Sequence, residues 1–200
     1  MIRYFVQLEY DGTNYFGFQK QKHTRNTIQN KINKALASIA NHKVKTVCAG
    51  RTDSGVHALN QIIHFDTNSK RTINSWIKGT NTYLPGDIAV KGFYKVDKNL
   101  HARFDASSRT YKYFIKQCSE KIAIERNNCL WVKQKLNVEL MNKACNYLLG
   151  EKDFSSFRAS RCQSASAIRT VHQAFFRQKG QYLVFEISAN AFLLNMIRIL

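Results

Sequence analysis

The sequence has 200 residues, 44% hydrophobic and 12% aromatic, which is enough for one or two compact domains with their own cores. Its 31 Lys and Arg outnumber 13 Asp and Glu, giving a formal net charge of +18. Such an excess indicates a polyanionic partner such as a nucleic acid, although compositional bias is an alternative. A membrane partner is disfavoured, because there is neither a run of about 18 apolar residues nor a long basic amphipathic helix.

Apolar periodicity in the first half predicts strands and helices in alternation. The alternating residues 3–10 predict a strand, and Asn26 is the predicted N-cap of the helix that follows. Two buried strands are predicted on either side of a polar loop, and a helix then ends at Pro85. These later predicted elements are strands 44–49 and 61–65, helix 73–84 and strand 88–96.

The second half repeats this plan and also begins with a strand. Its predicted elements are strand 110–117, helix 138–149 stopped by Gly150, strands 166–177 and 182–189, and a helix from 190 to 200. The order β-α-β-β-α-β, read twice, predicts the α+β class, with two ferredoxin- or RRM-like halves sharing an antiparallel sheet. The predicted domains are residues 1–105 and 106–200.

The polar loop, RTDSGVH, lies between the two buried strands of the first half and concentrates the reactive side chains. Gly55 takes positive φ without steric cost, so a tight turn is expected at Asp53-Ser54-Gly55. That turn would hold Asp53 at the edge of a sheet, two residues from the Arg51 guanidinium. An Asx-type turn, in which the carboxylate bonds only its own backbone, is the alternative for an isolated Asp-Ser-Gly.

The sequence around this loop, AGRTDSGVHA, resembles the active-site motif of the tRNA pseudouridine synthases of the TruA family. Six further segments resemble the family in the same order and at similar spacings, and together they cover nearly the whole chain. They are EYDGTNYFGFQ, LPGDIAV, HARFDA, RTYKY, LLGEKDFSSFRAS and NAFLLNMIR.

This resemblance implies an isomerase that converts uridine to pseudouridine at positions 38, 39 and 40 of the tRNA anticodon stem-loop. It implies that Asp53 is the catalytic residue, as nucleophile or as the base that removes the C2′ proton. Arg51 would displace the target base and take its place in the stack. Arg198 would pair with Asp53 and keep it ionised, and Tyr111 would pack against the flipped base. Without the resemblance, Arg198 reads as a solvated surface arginine and Tyr111 equally well as a core aromatic.

The reaction involves no redox change, and no cofactor is expected. The sequence has no phosphate-binding glycine motif and no metal-binding motif. The five cysteines include no C-x-x-C pair and are odd in number, which argues against a zinc site and a disulfide framework. With no leader at Met1, we expect a reduced cytoplasmic protein. The resemblance further implies a homodimer, merged sheets with helices on one face, and a basic cleft between the halves.

Other basic side chains receive weaker assignments. His57 is expected to support the loop by bonding backbone near Asp53, and His64 lies beside the same loop. Five arginines are candidate phosphate contacts, although each alone reads as a plain surface charge: Arg103, Arg109, Arg158, Arg161 and Arg169.

The sequence departs from the family pattern at three positions. Phe18 stands where the family usually has tryptophan, and Leu194 and Asn195 stand where it often has two histidines. The chain also ends within a predicted helix, where the family continues with a helix and a strand, so the second half is expected to be truncated. A tRNA-binding protein or RNA chaperone without catalysis is therefore the alternative function.

Overall fold

The computed structural model describes residues 1–160 and 162–200. The chain divides into two compact units, Met1–Ala106 and Ser107–Leu200. The described residues form nine strands and four α-helices, with one sheet in each unit, so the α+β class is confirmed. Among them, no helix combines the length and the apolar character needed to cross a membrane.

The first unit consists of two β-α-β segments that share one sheet. Its elements are β1 (Ile2–Tyr10), α1 (Ile28–Ala40), β2 (Val47–Cys48), β3 (Ala58–Thr67), α2 (Ile73–Tyr83) and β4 (Ile88–Val96). The sheet has the order β2-β3-β1-β4, and all neighbouring strands are antiparallel.

The core of the first unit lies between one face of this sheet and the two helices. On β1 every second side chain from Tyr4 to Tyr10 is buried, as the alternation predicts. Trp76 of α2 is fully buried and stacks on Phe93 of β4, with ring centroids 5.5 Å apart. Helix α1 adds Ile28, Ile32 and Leu36 to the same cluster.

Helix α1 begins one residue later than the sequence predicts. Its N-cap is Thr27, whose side chain accepts a hydrogen bond from the Asn30 amide. The predicted cap, Asn26, is wrong because its side-chain amide donates to the Asn14 carbonyl instead, at 2.5 Å. Helix α2 is capped in the same way by Thr72, which accepts from Ser75.

The second unit contains a five-stranded sheet and two α-helices. Its elements are β5 (Arg109–Gln117), β6 (Leu130–Val132), α3 (Val138–Cys145), β7 (Gly150–Asp153), β8 (Ile168–Lys179), β9 (Tyr182–Ala189) and α4 (Met196–Ile199). The sheet has the order β6-β5-β9-β8-β7, in which only the β5–β6 pair of the described strands is parallel. The core of this unit is apolar and includes Val171, Ile187 and Met196.

Several boundaries differ from the sequence prediction. The helix predicted to reach residue 149 ends at Cys145 and continues as a 3₁₀ turn, Asn146–Leu148. The last helix starts at Met196 and not at Asn190. Strand β2 is only two residues long, and the short strands β6 and β7 were not predicted.

Candidate active site

The loop that joins β2 to β3 carries Arg51 and Asp53 on a closed turn. The Val56 amide donates to the Asp53 carbonyl at 3.2 Å, and Gly55 has a φ of 76°, so the predicted positive φ is confirmed. Arg51 is exposed and Asp53 is half-buried. The loop therefore presents a guanidinium and a carboxylate two residues apart at the edge of the first sheet.

Residues 12–18 hold this loop through its backbone. The Phe18 amide donates to the Thr52 carbonyl at 3.0 Å, and the Gly55 amide donates to the Tyr15 carbonyl at 3.3 Å. The Ser54 hydroxyl donates to the same Tyr15 carbonyl at 3.0 Å. These bonds fix the backbone on both sides of Asp53, so the carboxylate is carried by a defined turn and not by a free loop.

Buried polar side chains of the sheet hold the start of the loop. The Tyr10 hydroxyl and the Thr52 hydroxyl are 2.8 Å apart, and the Gln61 side-chain amide donates to the Gly50 carbonyl at 2.6 Å. Burial raises the pKa of Tyr10, which keeps this phenol protonated and able to donate. The Gln61 side chain also accepts from the Gly50 amide at 3.4 Å. One side chain therefore bonds both backbone groups of Gly50, the residue before Arg51.

Two glycines let the backbones approach closely. A β-carbon at Gly12 would lie 2.0 Å from the Val56 carbonyl oxygen, and one at Gly17 would lie 2.8 Å from the Thr52 carbonyl oxygen. Gly17 also has a φ of 80°, which side-chain-bearing residues rarely adopt. Segment 12–18 can therefore pack against the loop only with glycine at these two positions.

His57 supports the loop at its far end. Its Nδ1 atom lies 2.9 Å from an Asp11 carboxylate oxygen and 3.1 Å from the Gly12 amide nitrogen. The Nδ1 atom donates to the carboxylate when it carries a proton and accepts from the amide when it does not. These contacts join the loop to the Asp11–Gly12 turn, and the bond from His57 to backbone near Asp53 stays a prediction.

Tyr111 and Arg198 belong to the second unit. Tyr111 is half-buried on β5, where it pairs with Ile187 of β9, and its ring meets Phe192 edge-on with centroids 5.0 Å apart. Arg198 is an exposed residue of α4, and its amide donates to the Asn195 carbonyl at 2.9 Å. The role of both residues beside Asp53 remains a prediction.

The sequence profile of the tRNA pseudouridine synthase family matches residues 7–105 and 144–200. The chain belongs to this family. Proteins named tRNA pseudouridine synthase A are similar over 99% of the chain and 76% of their own length. Identity is 45% for Francisella philomiragia, 46% for Francisella tularensis subsp. mediasiatica and 45% for subsp. novicida.

In this member of the pseudouridine synthase family, the arginines predicted to contact phosphate have different surroundings. Arg169 is buried and donates to the Ser166 and Ile168 carbonyls, and Arg158 donates to the carbonyls of residues 162 and 164. For these two, the interpretation as plain surface charges is wrong, because they brace the segment before β8. Arg161 lies outside the described residues.

The sequence interpretation missed the residues that position the loop: Tyr10, Gly12 and Gln61. The signal that could have found Tyr10 and Gly12 is the EYDGTNYFGFQ segment, which contains both and resembles the family. Within residues 1–160 and 162–200, no group of three or more His, Cys, Asp or Glu side chains is placed to hold a metal ion.

Proposed function

We propose that this chain converts uridine to pseudouridine at positions 38, 39 and 40 of the tRNA anticodon stem-loop. The isomerisation of tRNA uridine follows from membership of the family. The observation that carries the assignment to this loop is the turn around Asp53, anchored on both sides by backbone bonds. Such anchoring is what a reacting group needs to be held in one geometry.

The chemistry breaks the bond between C1′ and N1 of uridine and forms a bond between C1′ and C5. The C5 proton leaves to solvent, N1 gains a proton, and no electron is gained or lost, so the atoms balance without a cofactor. Asp53 serves either as the nucleophile or as the base that removes the C2′ proton. Both routes require an ionised carboxylate at a fixed position.

The proposal gives three other residues a part in this reaction. Arg51 is exposed beside Asp53, where its planar guanidinium can enter the base stack and support a flipped-out uridine. Tyr111 would pack against the flipped base. Arg198 would pair with Asp53 and keep its carboxylate charged once water is excluded.

The wider arrangement is proposed on the family resemblance. It comprises two ferredoxin- or RRM-like halves, residues 1–105 and 106–200, with a merged antiparallel sheet, helices on one face and a basic cleft between the halves. The β2-β3-β1-β4 order of the first unit and the net charge of +18 support it. A homodimer in the cytoplasm, with tRNA spanning both subunits, completes the proposal.

The test is Asp53→Asn, which keeps the size of the side chain and removes its charge. Release of tritium from C5-labelled uridine in tRNA should fall to background, because an amide is a poor nucleophile and a poor base. Filter binding of the same tRNA should persist, since affinity comes mainly from basic groups. Reverse-transcription stops after carbodiimide treatment locate the modified uridines.

Asp97→Asn is the matched control, because Asp97 is exposed and its carboxylate accepts a local bond from the Asn99 amide that asparagine can also accept. Normal tritium release by Asp53→Asn would remove Asp53 from the chemistry. Tight tRNA binding by the wild type without any tritium release would instead support a tRNA-binding protein without catalysis.

A further inference from the structure

The segment that follows β4, residues 97–106, is fixed to the first unit by Arg3. The Arg3 guanidinium donates to both Asp66 carboxylate oxygens at 2.7 Å and to the Lys98 and Leu100 carbonyls at 2.8 and 2.9 Å. The hydrogen bond from Arg3 lowers the pKa of Asp66 and keeps the pair charged. The segment therefore starts from a defined position beside the N-terminal end of β1.

Two histidines hold the middle of the segment. His64 of β3 is buried and its Nδ1 accepts from the Ala102 amide at 3.1 Å, while its ring meets His101 edge-on with centroids 4.6 Å apart. His101 Nδ1 in turn lies 3.2 Å from the amides of Arg103 and Phe104, and Asp105 accepts from the His101 amide. The amides of Arg103 and Phe104 are thus held by the His101 side chain, and the Asp105 amide is held by the His101 carbonyl at 3.0 Å.

Segment 97–106 presents an exposed aromatic ring. Phe104 is 75% exposed, yet its ring stacks on His101 with centroids 4.3 Å apart and planes 23° from parallel. The Arg103 guanidinium carbon lies 5.7 Å from the centre of the same ring. Single exposed apolar residues are common on protein surfaces, but the ring of this one rests on His101, which in turn packs against the buried His64.

We propose that Phe104, together with His101 and Arg103, is a stacking site for an unpaired base of the tRNA. Unstacked bases in RNA loops bind by stacking on aromatic rings, and an adjacent guanidinium can bind the phosphate of the stacked nucleotide. The segment has two acidic groups, and both accept local backbone hydrogen bonds: Asp97 from the Asn99 amide and Asp105 from the His101 amide. The net charge of +18 favours RNA over a second copy of the same chain. The inference rests on the proposed tRNA substrate and adds a contact distant in sequence from Asp53.

The first experiment places a fluorescent reporter in the site with Phe104→Trp. The chain has two tryptophans, of which Trp76 is fully buried and Trp131 lies in the second unit, so wild-type emission provides the baseline. Stacking of a base on the new indole should quench its emission. We expect quenching that saturates at the tRNA concentration at which filter binding saturates, also when Asp53→Asn is present.

The second experiment compares Phe104→Leu with Phe104→Tyr. Loss of one stacked base should weaken tRNA binding about five- to a hundred-fold for Phe104→Leu, and Phe104→Tyr should bind like the wild type. Tyr83→Leu is the control, since Tyr83 is a 60% exposed aromatic at the end of α2 and should not change affinity. Thermal unfolding of each variant checks that the fold is retained.

The outcomes separate this inference from the proposed function. If the wild type binds and modifies tRNA while Phe104→Leu binds equally well and Phe104→Trp is not quenched, the stacking site is wrong and the function stands. If the wild type does not bind tRNA, both are wrong. If Phe104→Leu changes the sedimentation coefficient and leaves tRNA affinity unchanged, the surface contacts a second copy and the inference fails.

Discussion

Gly12 lies against the turn that carries Asp53, and Gly12→Ala tests whether segment 12–18 positions that turn. The added β-carbon would lie 2.0 Å from the Val56 carbonyl oxygen and 2.6 Å from its carbonyl carbon. Ordinary contact begins at 3.4 Å, so about 1.4 Å of separation is missing. Both groups are backbone, so the strain cannot be relieved by a side-chain rotation.

The clash can therefore be relieved only by a backbone shift, either in residues 11–13 or in the loop that carries Asp53. Overpacking of this kind typically costs about 1–3 kcal/mol of unfolding free energy. Because Val56 bonds the Asp53 carbonyl, part of the shift reaches the carboxylate. A misplacement of about 1 Å can reduce a rate about 100-fold, so we expect Gly12→Ala to reduce single-turnover tritium release by about that factor.

The assay compares Gly12→Ala with Gly86→Ala under saturating enzyme, with tRNA affinity and urea unfolding measured on the same samples. Gly86 is a suitable control because a β-carbon there meets no atom within 4 Å. Affinity should change little in either variant, since no basic group is lost. A rate for Gly12→Ala within about threefold of Gly86→Ala would refute positioning of the loop by this segment, because the expected loss is far larger.

Three further predictions concern pH, salt and Tyr111. Burial, with the charges of Arg3 and His101, lowers the pKa of His64 to about 4, below its ordinary 6.5. As the pH falls, His64 is therefore protonated in the unfolded chain before it is protonated in the folded protein. Between pH 6.5 and 4 the wild type should lose up to about 3 kcal/mol of unfolding free energy relative to His64→Gln. Parallel curves of unfolding free energy against pH for the two proteins would contradict this. Affinity for tRNA should fall at least about tenfold between about 50 and 200 mM salt, and a flat response in filter binding would exclude an electrostatic interface. Tyr111→Phe should lower turnover about 100-fold with unchanged tRNA affinity if the hydroxyl transfers a proton, whereas normal tritium release would leave Tyr111 a packing role.

The local pattern of apolar residues determined the longer elements of this protein. Strands β4 and β9 have the predicted bounds, Ile88–Val96 and Tyr182–Ala189. Such strands can be predicted because the pattern of buried and exposed side chains is carried by consecutive residues. The family motif likewise located Asp53 and Arg51, since both lie in one continuous segment. The positive φ of Gly55 was also predictable, because it follows from the residue type within the Asp-Ser-Gly turn.

Elements that depend on partners could not be found in this way. The short strands β6 and β7 exist through pairing with β5 and β8, and three or four residues carry too little pattern of their own. The N-cap of α1 depends on a contact between residues 12 positions apart. The Asn26 side chain donates to the Asn14 carbonyl, and Thr27 caps the helix instead.

The support of the candidate site is also a product of tertiary structure. Tyr10 reaches Thr52 across 42 positions of sequence, and Gly12 meets His57 across 45. These residues come together only when β1 lies between β3 and β4, which is a property of sheet order and register. The sequence therefore determined which side chains could react, and the packing of β1 and segment 12–18 decided how Asp53 is held.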